Sequence, residues 1–297
     1  MMDRVRFLRP PDLPRAAALS ALVGWNQLEA DWNIFLRFGT VRAVDDGEEG
    51  AFAATAATLP FGRDVAWISM VLVRPDRRRA GLATALMGWA VESLRGAGTP
   101  CMALDATPDG REVYRRLGFR DIWGFRRWSL PAALPAPKPD VPVRPLRAAD
   151  WPALLALDEA AAFGAPRAFL LRDFAARVPT AAFVADGPGG ALAGFVLARD
   201  GLRAPQIGPL VATGTAAACA LLAAALAALP ARGAEAAGAA VPRAVIDLCD
   251  AQRGIAAWIA AHGAREQRPF TRMALGADPP RVPGAPMVVA VAGPEFG

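Results

Sequence analysis

The chain is short of several side chains on which enzyme chemistry often depends. Its 297 residues include one histidine (His262), one tyrosine (Tyr114), one lysine (Lys138) and three cysteines. The cysteines, Cys101, Cys219 and Cys249, are odd in number, far apart and form no CxxC pair. That argues against a disulfide framework and against a zinc site, and predicts a reducing, cytoplasmic setting with no metal. The opening stretch, MMDRVRFLRPPD, has no apolar run, so no signal peptide is expected. One uncharged stretch, 204–231, is long enough to draw attention as a membrane span. It is broken by Pro205, Gly208, Pro209, Gly214 and Pro230 and is rich in the weak hydrophobe alanine. A membrane helix needs about 20 predominantly apolar residues in a row. The stretch instead reads as a buried strand (206–212), a turn (213–215) and a buried helix (216–229).

Charge also says little by itself. Of 33 basic residues 32 are arginine, and 68 residues are alanine, which resembles a codon bias more than a selected surface. The net charge of +5 is mild, and the arginines are scattered except at Arg77, Arg78 and Arg79. A nucleic-acid-binding face would be continuous and interleaved with aromatics, so no nucleic-acid partner is expected. With 54% hydrophobic and 21% charged residues the chain is not of disordered composition. Its length suggests two domains.

Six prolines between 131 and 145 mark a stiff linker. The segment after it repeats the opening of the chain: five of eight positions in Val5–Asp12 recur in Val143–Asp150. Gly118, Arg120, Phe125, Arg127 and Leu130 recur, at a constant offset, as Gly263, Arg265, Phe270, Arg272 and Leu275. Two echoes in the same order predict a duplicated domain, with units at 1–130 and 143–276, a linker at 131–142 and a tail at 277–297.

In the first unit the pattern predicts strands at 5–9, 40–44, 50–58, 65–73, 100–105, 119–123 and 125–130. Helices are predicted at 12–23, 27–37, 81–94 and 108–117. Leu82, Leu86, Ala90 and Leu94 share one helix face. This is a mixed α/β fold with antiparallel strands before the central helix. Its informative stretch is 67–84, where a strand enters a basic, glycine-containing turn that opens a helix. The first N–H groups of a helix have no internal partner and carry partial positive charge. With Gly81 and Ala83 leaving the backbone open, and Arg78 and Arg79 nearby, the turn suits a pyrophosphate.

These residues resemble the GNAT superfamily of acyl-CoA-dependent N-acetyltransferases. Its [Q/R]-x-x-G-x-[G/A] signature stands here as Arg78, Arg79, Ala80, Gly81, Leu82, Ala83. Its second signature is similar to the run from Thr107 through Gly110 and Tyr114 to Gly118 and Phe119. The resemblance covers residues 4–130. It implies acetyl-CoA as co-substrate, no metal, and contacts to the acyl donor from Val71, Leu72, Val73, Arg78 to Thr84, Thr107 and Gly110, with the backbone of Met70 to Val73 pairing with pantetheine. Thr107, Pro108 and Gly118 are a suitable N-cap, first residue and C′ residue for a short helix that presents Tyr114. A phenol can donate a proton to a departing thiolate, the role the family implies for Tyr114; a packed aromatic is the alternative. Two positions depart from the family. Trp67 stands where some members carry a glutamate base, and Thr107 replaces the usual asparagine. Asp105 is the first candidate for the base, with a structural carboxylate and a water relay as alternatives. Trp25, Asn26 and Asp31 are candidates for the acceptor site, with Asp31 able to attract a cationic amine; helix packing is the competing reading for the tryptophans Trp25 and Trp32. Asp45, Asp46, Glu48 and Glu49 read as a solvated hairpin turn.

Residues 143–276 read as a diverged copy, with helices at 150–159 and 167–176 and strands at 181–185, 191–198 and 206–212. Phe163, Gly164, Arg167, the run 207–212 and Phe270 to Met273 resemble the C-terminal half of YitH-like tandem GNAT proteins. Gly24 to Asn26 and Leu104 to Pro108 resemble their N-terminal half. The second copy has only Thr213, Gly214 and Thr215 at its turn and no tyrosine, so it is expected not to catalyse by the same mechanism but to complete the acceptor pocket or an assembly surface. His262 is expected to pack. Met287 to Val291 could add an edge strand at an unspecified place. The sequence thus predicts a tandem GNAT N-acetyltransferase acting on a small-molecule amine. A non-catalytic acyl-CoA sensor and a protein-lysine acetyltransferase are the rivals. No membrane partner is expected, and a homodimer is compatible with the sequence.

Overall fold

The protein was analysed as a computed structural model, which describes residues 5–47, 51–135, 137, 141–230, 242–279 and 287–297. The first half contributes β1 (Val5–Phe7), α1 (Leu13–Leu22), α2 (Glu29–Phe38), β2 (Thr40–Asp45), β3 (Phe52–Phe61), β4 (Val65–Val73), α3 (Leu82–Gly96), β5 (Cys101–Ala106), α4 (Pro108–Arg116) and β6 (Arg120–Leu130). The second half repeats the series as β7 (Val143–Pro145), α5 (Trp151–Leu157), α6 (Ala168–Arg177), β8 (Phe183–Asp186), β9 (Leu192–Arg199), β10 (Gln206–Ala212), α7 (Thr215–Ala228), β11 (Ala244–Cys249), α8 (Arg253–Ala261) and β12 (Arg265–Gly276). A last strand, β13 (Val288–Ala290), completes the series.

The thirteen strands of the described residues join one mixed sheet in the order β1-β2-β3-β4-β5-β12-β6-β11-β13-β10-β9-β8-β7. Apart from β13 the order is a palindrome, as a duplication predicts. The centre, however, is exchanged. β12 of the second half pairs with β5 of the first, and β6 of the first pairs with β11 of the second. β6 and β12 then pair with each other. The two halves therefore share one sheet rather than forming two.

Local chemistry explains the elements. In α3 the face Leu82, Leu86, Ala90 and Leu94 is buried, against Ala54 and Ala56 at one end and Ile68, Met102 and Leu104 at the other. Each large apolar side chain so buried contributes about 1.5–3 kcal/mol. α7 is apolar all round and lies under the second half of the sheet, with Leu221, Leu222, Ala225 and Leu226 fully enclosed. Among the described residues no helix is long and apolar enough to cross a membrane.

Several predicted elements shift. β6 is one continuous strand, not two broken at Gly124. A glycine there leaves room for the Asp250 carboxylate, which an added Cβ would displace. Asp12 does not cap α1 with its side chain; it accepts hydrogen bonds from the backbone of Arg9 and the guanidinium of Arg6. Its repeat, Asp150, does the same with Arg147 and Arg144. Asp45 and Asp46 are ion-paired rather than merely solvated: Asp45 with Arg6 and Arg15, Asp46 with Arg74 and Arg77. The rest of that acidic run, Glu48 and Glu49, lies outside the described residues. The apolar tail segment forms no edge strand. It enters the middle of the sheet as β13.

Candidate active site

The site begins where β4 leaves β5. The two strands pair in parallel only at Val65–Trp67 against Cys101–Ala103. Beyond Trp67 they separate. The cause is a bulge: Met70 adopts φ 53°, the register against β3 slips between Thr55 and Ala57, and Thr55 Oγ1 donates to the Met70 carbonyl at 2.8 Å. A bulge bends and twists its strand and re-aims the residues beyond it. The splay leaves an opening in the sheet between the ends of β4 and β5.

The chain then turns into α3. Asp46 holds Arg74 and Arg77 and so fixes the 3-10 turn Pro75–Arg77. Arg78 and Arg79 stay exposed, and among the described residues neither has an ion pair. Arg79 and Gly81 both take positive φ, 62° and 78°. At Gly81 this left-handed N-cap conformation costs a glycine nothing, and a Cβ there would meet nothing within 4 Å. The first turn of α3 has no side-chain cap, so its free N–H groups face open space, an arrangement suited to an anion. A groove of about 760 Å³ runs from this mouth along Val71, Leu72 and Val73 to Thr107, Gly110 and Tyr114. Its size is that of a typical ligand cleft. Arg78, Arg79, Gly81, Leu82, Ala83 and Thr84 line it; Ala80 belongs to the turn but not to the lining.

Tyr114 sits at the inner end of the groove. Thr107 Oγ1 accepts the Gly110 N–H at 3.3 Å and caps α4, Pro108 opens the helix, and Gly118 leaves it at φ 89°. The ring lies across Gly110, where a Cβ would come within 3.0 Å of Tyr114 Cε2, and packs on Phe119 at 6.2 Å. Burial pushes the phenol up to about 12, so it holds its proton at neutral pH.

Behind Tyr114 the groove meets a chamber of about 70 Å³. Trp25, Val71, Thr107, Tyr114 and Arg268 line both. The chamber is walled by both halves: Asn26, Gln27, Ser69 and Leu104 from the first, Arg268, Phe270, Pro294 and Glu295 from the second. The Glu295 segment is fixed by Ser69, whose Oγ donates to the Glu295 carbonyl at 2.8 Å, and by Trp67, whose Nε1 donates to the Pro294 carbonyl at 3.2 Å. Glu295 itself is buried, and its Oε1 is bound by Arg199.

The corresponding opening in the second half is closed. β10 and β11 pair in parallel only at Gln206–Ile207 against Val245–Ile246. Beyond that point β13 is inserted, antiparallel to both. A main-chain strand occupies the place into which a thioester would have to reach, and the turn at 213–215 carries no cation.

Residues 14–119 match the model described as "Acetyltransferase (GNAT) family", and residues 154–284 match "Acetyltransferase (GNAT) domain". The matches fall on the two halves and together span most of the chain. The chain belongs to the GNAT acetyltransferase family. It is a tandem GNAT, and its mixed α/β sheet agrees with solved structures of that kind. A putative acetyltransferase from Pyrococcus horikoshii is 19% identical, with 99% of this chain and 95% of that one aligned at a TM-score of 0.75. A tandem GNAT protein from the clavulanic acid biosynthesis pathway is 19% identical over 93% and 98% of the two chains, at 0.64. A GCN5-related N-acetyltransferase from Sphaerobacter thermophilus is 18% identical over 92% and 95%, at 0.61. At these identities the likeness concerns the fold. No curated protein matches the chain.

Three expectations about this GNAT site are corrected by the geometry. Asp105 is not a free carboxylate. Both its oxygens are held by Arg272, at 2.9 and 2.8 Å, and its side chain has no exposed surface. Burial pushes its pKa up, and the Arg272 guanidinium opposes that rise. Asp31 cannot receive an amine: it is fully buried and accepts from the Leu28 N–H, Arg177 and Arg199. Asn26 lines the chamber, but its side chain is spent clamping the second half, donating to the Ala204 carbonyl and accepting from the Arg203 and Ala204 N–H groups. Trp25 does stand between groove and chamber. His262, at the exposed end of α8, packs on Trp258, with 5.6 Å between ring centroids and its Nδ1 2.8 Å from the Trp258 carbonyl. Among the described residues no cluster of His, Cys, Asp and Glu is arranged to hold a metal ion. Sequence reading missed Glu295, Gln27, Arg127 and Arg268. Arg127 belongs to the repeat that pairs it with Arg272, which was a usable signal; Glu295, in a tail of uncertain destination, had none.

Proposed function

We propose that the protein transfers an acetyl group from acetyl-CoA to the primary amine of a small molecule, by direct attack within a ternary complex. The observation that carries the reading is the continuity of the open α3 mouth, the splayed β4 and the Tyr114 end of the groove with the chamber beyond. In this reading the α3 N–H groups with Arg78 and Arg79 hold the diphosphate. The edge of β4 from Met70 to Val73 offers main-chain hydrogen bonds to the pantetheine arm. The amine nitrogen, bound in the chamber, attacks the thioester carbonyl carbon. A C–N bond forms and the C–S bond breaks. Tyr114 gives its proton to the leaving thiolate, a contribution of about 10²–10⁴-fold for such groups.

With Asp105 locked, the carboxylate best situated to take the amine proton is Glu295. It lines the chamber, and among the described residues only its Oε1 is engaged, by Arg199. The compactness of the chamber favours a small acceptor over a protein lysine. The test is release of CoA thiol from acetyl-CoA across a panel of amines, alongside calorimetric titration with acetyl-CoA. Turnover that falls about 100-fold or more in Glu295→Gln, in folded protein with unchanged acetyl-CoA affinity, supports the assignment. Binding of acetyl-CoA without transfer to any amine contradicts the enzyme reading and favours an acyl-CoA sensor. Absence of binding to folded protein rejects both.

A further inference from the structure

The chamber carries one positive charge that, among the described residues, no carboxylate pairs with directly. In the pairing of β6 with β12, Arg127 and Arg268 stand directly opposite each other, beside a bulge at Gln267. Like charges at facing positions are destabilising. Arg127 is neutralised, with both carboxylate oxygens of Asp247 at 2.8 and 2.7 Å. Arg268 is not: among the described residues no carboxylate or hydrogen-bond acceptor comes within bonding distance of it, and its guanidinium lies over the face of Phe270, 5.0 Å from the ring centroid. Burial, then repulsion from Arg127, holds its pKa below the usual arginine value, against the unbonded attraction of Asp247 and Glu295.

Position gives that charge a use. Arg268 lines both the groove and the chamber. It is thus at the junction with Tyr114, at the opposite end of the groove from Arg78, Arg79 and the α3 mouth. The carboxylates nearby pair elsewhere, Asp247 with Arg127, Asp105 with Arg272 and Glu295, through Oε1 alone, with Arg199, and none is within ion-pair distance of Arg268. A second unanswered group lines the same chamber. Gln27 is only 3% exposed, and its Oε1 is buried without a hydrogen-bond partner. The chamber therefore lacks one anion, to meet Arg268, and one N–H donor, to meet Gln27.

We infer that the acceptor is an amine that also carries a carboxylate, an amino acid or close relative, with the carboxylate held by Arg268 and the amine end turned toward Gln27, Glu295 and the thioester. A guanidinium suits a carboxylate through paired, charge-assisted hydrogen bonds. The inference rests on the proposed acetyl transfer and adds the acceptor's chemical class to it.

The experiment compares amino acids with their decarboxylated amines (alanine with ethylamine, phenylalanine with phenethylamine) in wild type and Arg268→Met. Turnover is read by thiol release, and binding by calorimetry on protein holding CoA. A carboxylate bound by guanidinium in a partly buried site predicts a KM or Kd for the preferred amino acid about 10- to 100-fold below that of its amine. Arg268→Met should erase that difference while leaving acetyl-CoA affinity within about 2-fold. Equal or better use of the decarboxylated amines overturns the inference and leaves acetyl transfer standing. So does a variant whose only defect is weaker acetyl-CoA binding, which would give Arg268 to the donor. If nothing is turned over, the acetyl-transfer reading fails, and the calorimetric arm still decides whether Arg268 binds carboxylates: Arg268-dependent binding keeps the anion site, and its absence removes it.

Discussion

Replacing Arg272 by methionine should destabilise the protein far more than it alters the chemistry. Arg272 and Asp105 face each other across β12 and β5, joining the two halves. The carboxylate has no exposed surface and both its oxygens are bound by the guanidinium, which is itself sandwiched between Trp67 and Trp123 at 4.5 and 4.4 Å. Removing one partner of a buried pair leaves the other charge stranded, at a cost of about 3–5 kcal/mol. Asp105→Asn should cost less, about 2 kcal/mol, because the remaining guanidinium keeps its two tryptophans and a neutral acceptor. The double variant Asp105→Asn with Arg272→Met strands no charge and should cost about 2–3 kcal/mol, against about 5–7 for the sum of the singles, a coupling energy of about 3–4 kcal/mol. The pseudo-symmetric pair supports the structural role. Arg127 and Asp247 form the same two-bond contact across β6 and β11, and they serve the half whose opening is filled by β13. Denaturant unfolding of the four proteins at pH 7 gives the energies, and thiol release at a temperature where all are folded gives activity. Asp105→Asn should keep turnover within about 10-fold, whereas loss of a general base costs about 10²–10⁴-fold. A stable Asp105→Asn protein with turnover reduced about 1,000-fold, and an Arg272→Met protein of undiminished stability, would refute this reasoning.

Tyr114→Phe should lower turnover about 100-fold or more with acetyl-CoA affinity unchanged. Because the phenol titrates near 12 rather than 10, and the acid form is the active one, rate profiles should show no alkaline loss from this group through pH 10–11; a Tyr114-dependent fall centred at 10 contradicts the burial argument. Arg78→Gln and Arg79→Gln should each weaken acetyl-CoA binding about 2- to 5-fold, as exposed charges do, with a shallower salt dependence of Kd; titration at two ionic strengths reads this. Asp12, held at about 2 by Arg6 against an ordinary 3.8, contributes stability that is fully present above pH 4 and lost as pH falls through 2. Asp12→Asn should therefore melt below wild type at pH 7, with the gap closing between pH 4 and 2.

The parts of this fold written in local periodicity were legible in the sequence. β4 spans Val65–Val73 as its apolar run predicts, and the Leu82, Leu86, Ala90, Leu94 face of α3 is buried. The cap at Thr107 and the exit at Gly118 arise from residue type. The repeat announced a duplication, but not that the two copies would exchange strands and share one sheet. What was not legible depends on contacts distant in sequence. Nothing local in Arg120–Leu130 says that its partners are β12 and β11, and Gly124 looks like a break until Asp250 is seen against it. The carboxylates were misjudged for the same reason. Asp31 and Asp105 have the composition of binding residues, and only the second half, through Arg177, Arg199 and Arg272, shows that they are already engaged. The tail was opaque because its role is relational: Val288–Ala290 fills a gap in one half, and a few residues later Glu295 enters the chamber of the other.

The most direct test of the account is a crystal structure of the protein with CoA. The account predicts one CoA per chain, its diphosphate on the N–H groups of Gly81 to Thr84 and its sulfur beside the Tyr114 hydroxyl, facing the chamber that holds Arg268 and Glu295. A CoA seated at Thr213–Thr215 in the second half, or one whose sulfur points away from Tyr114, would contradict it.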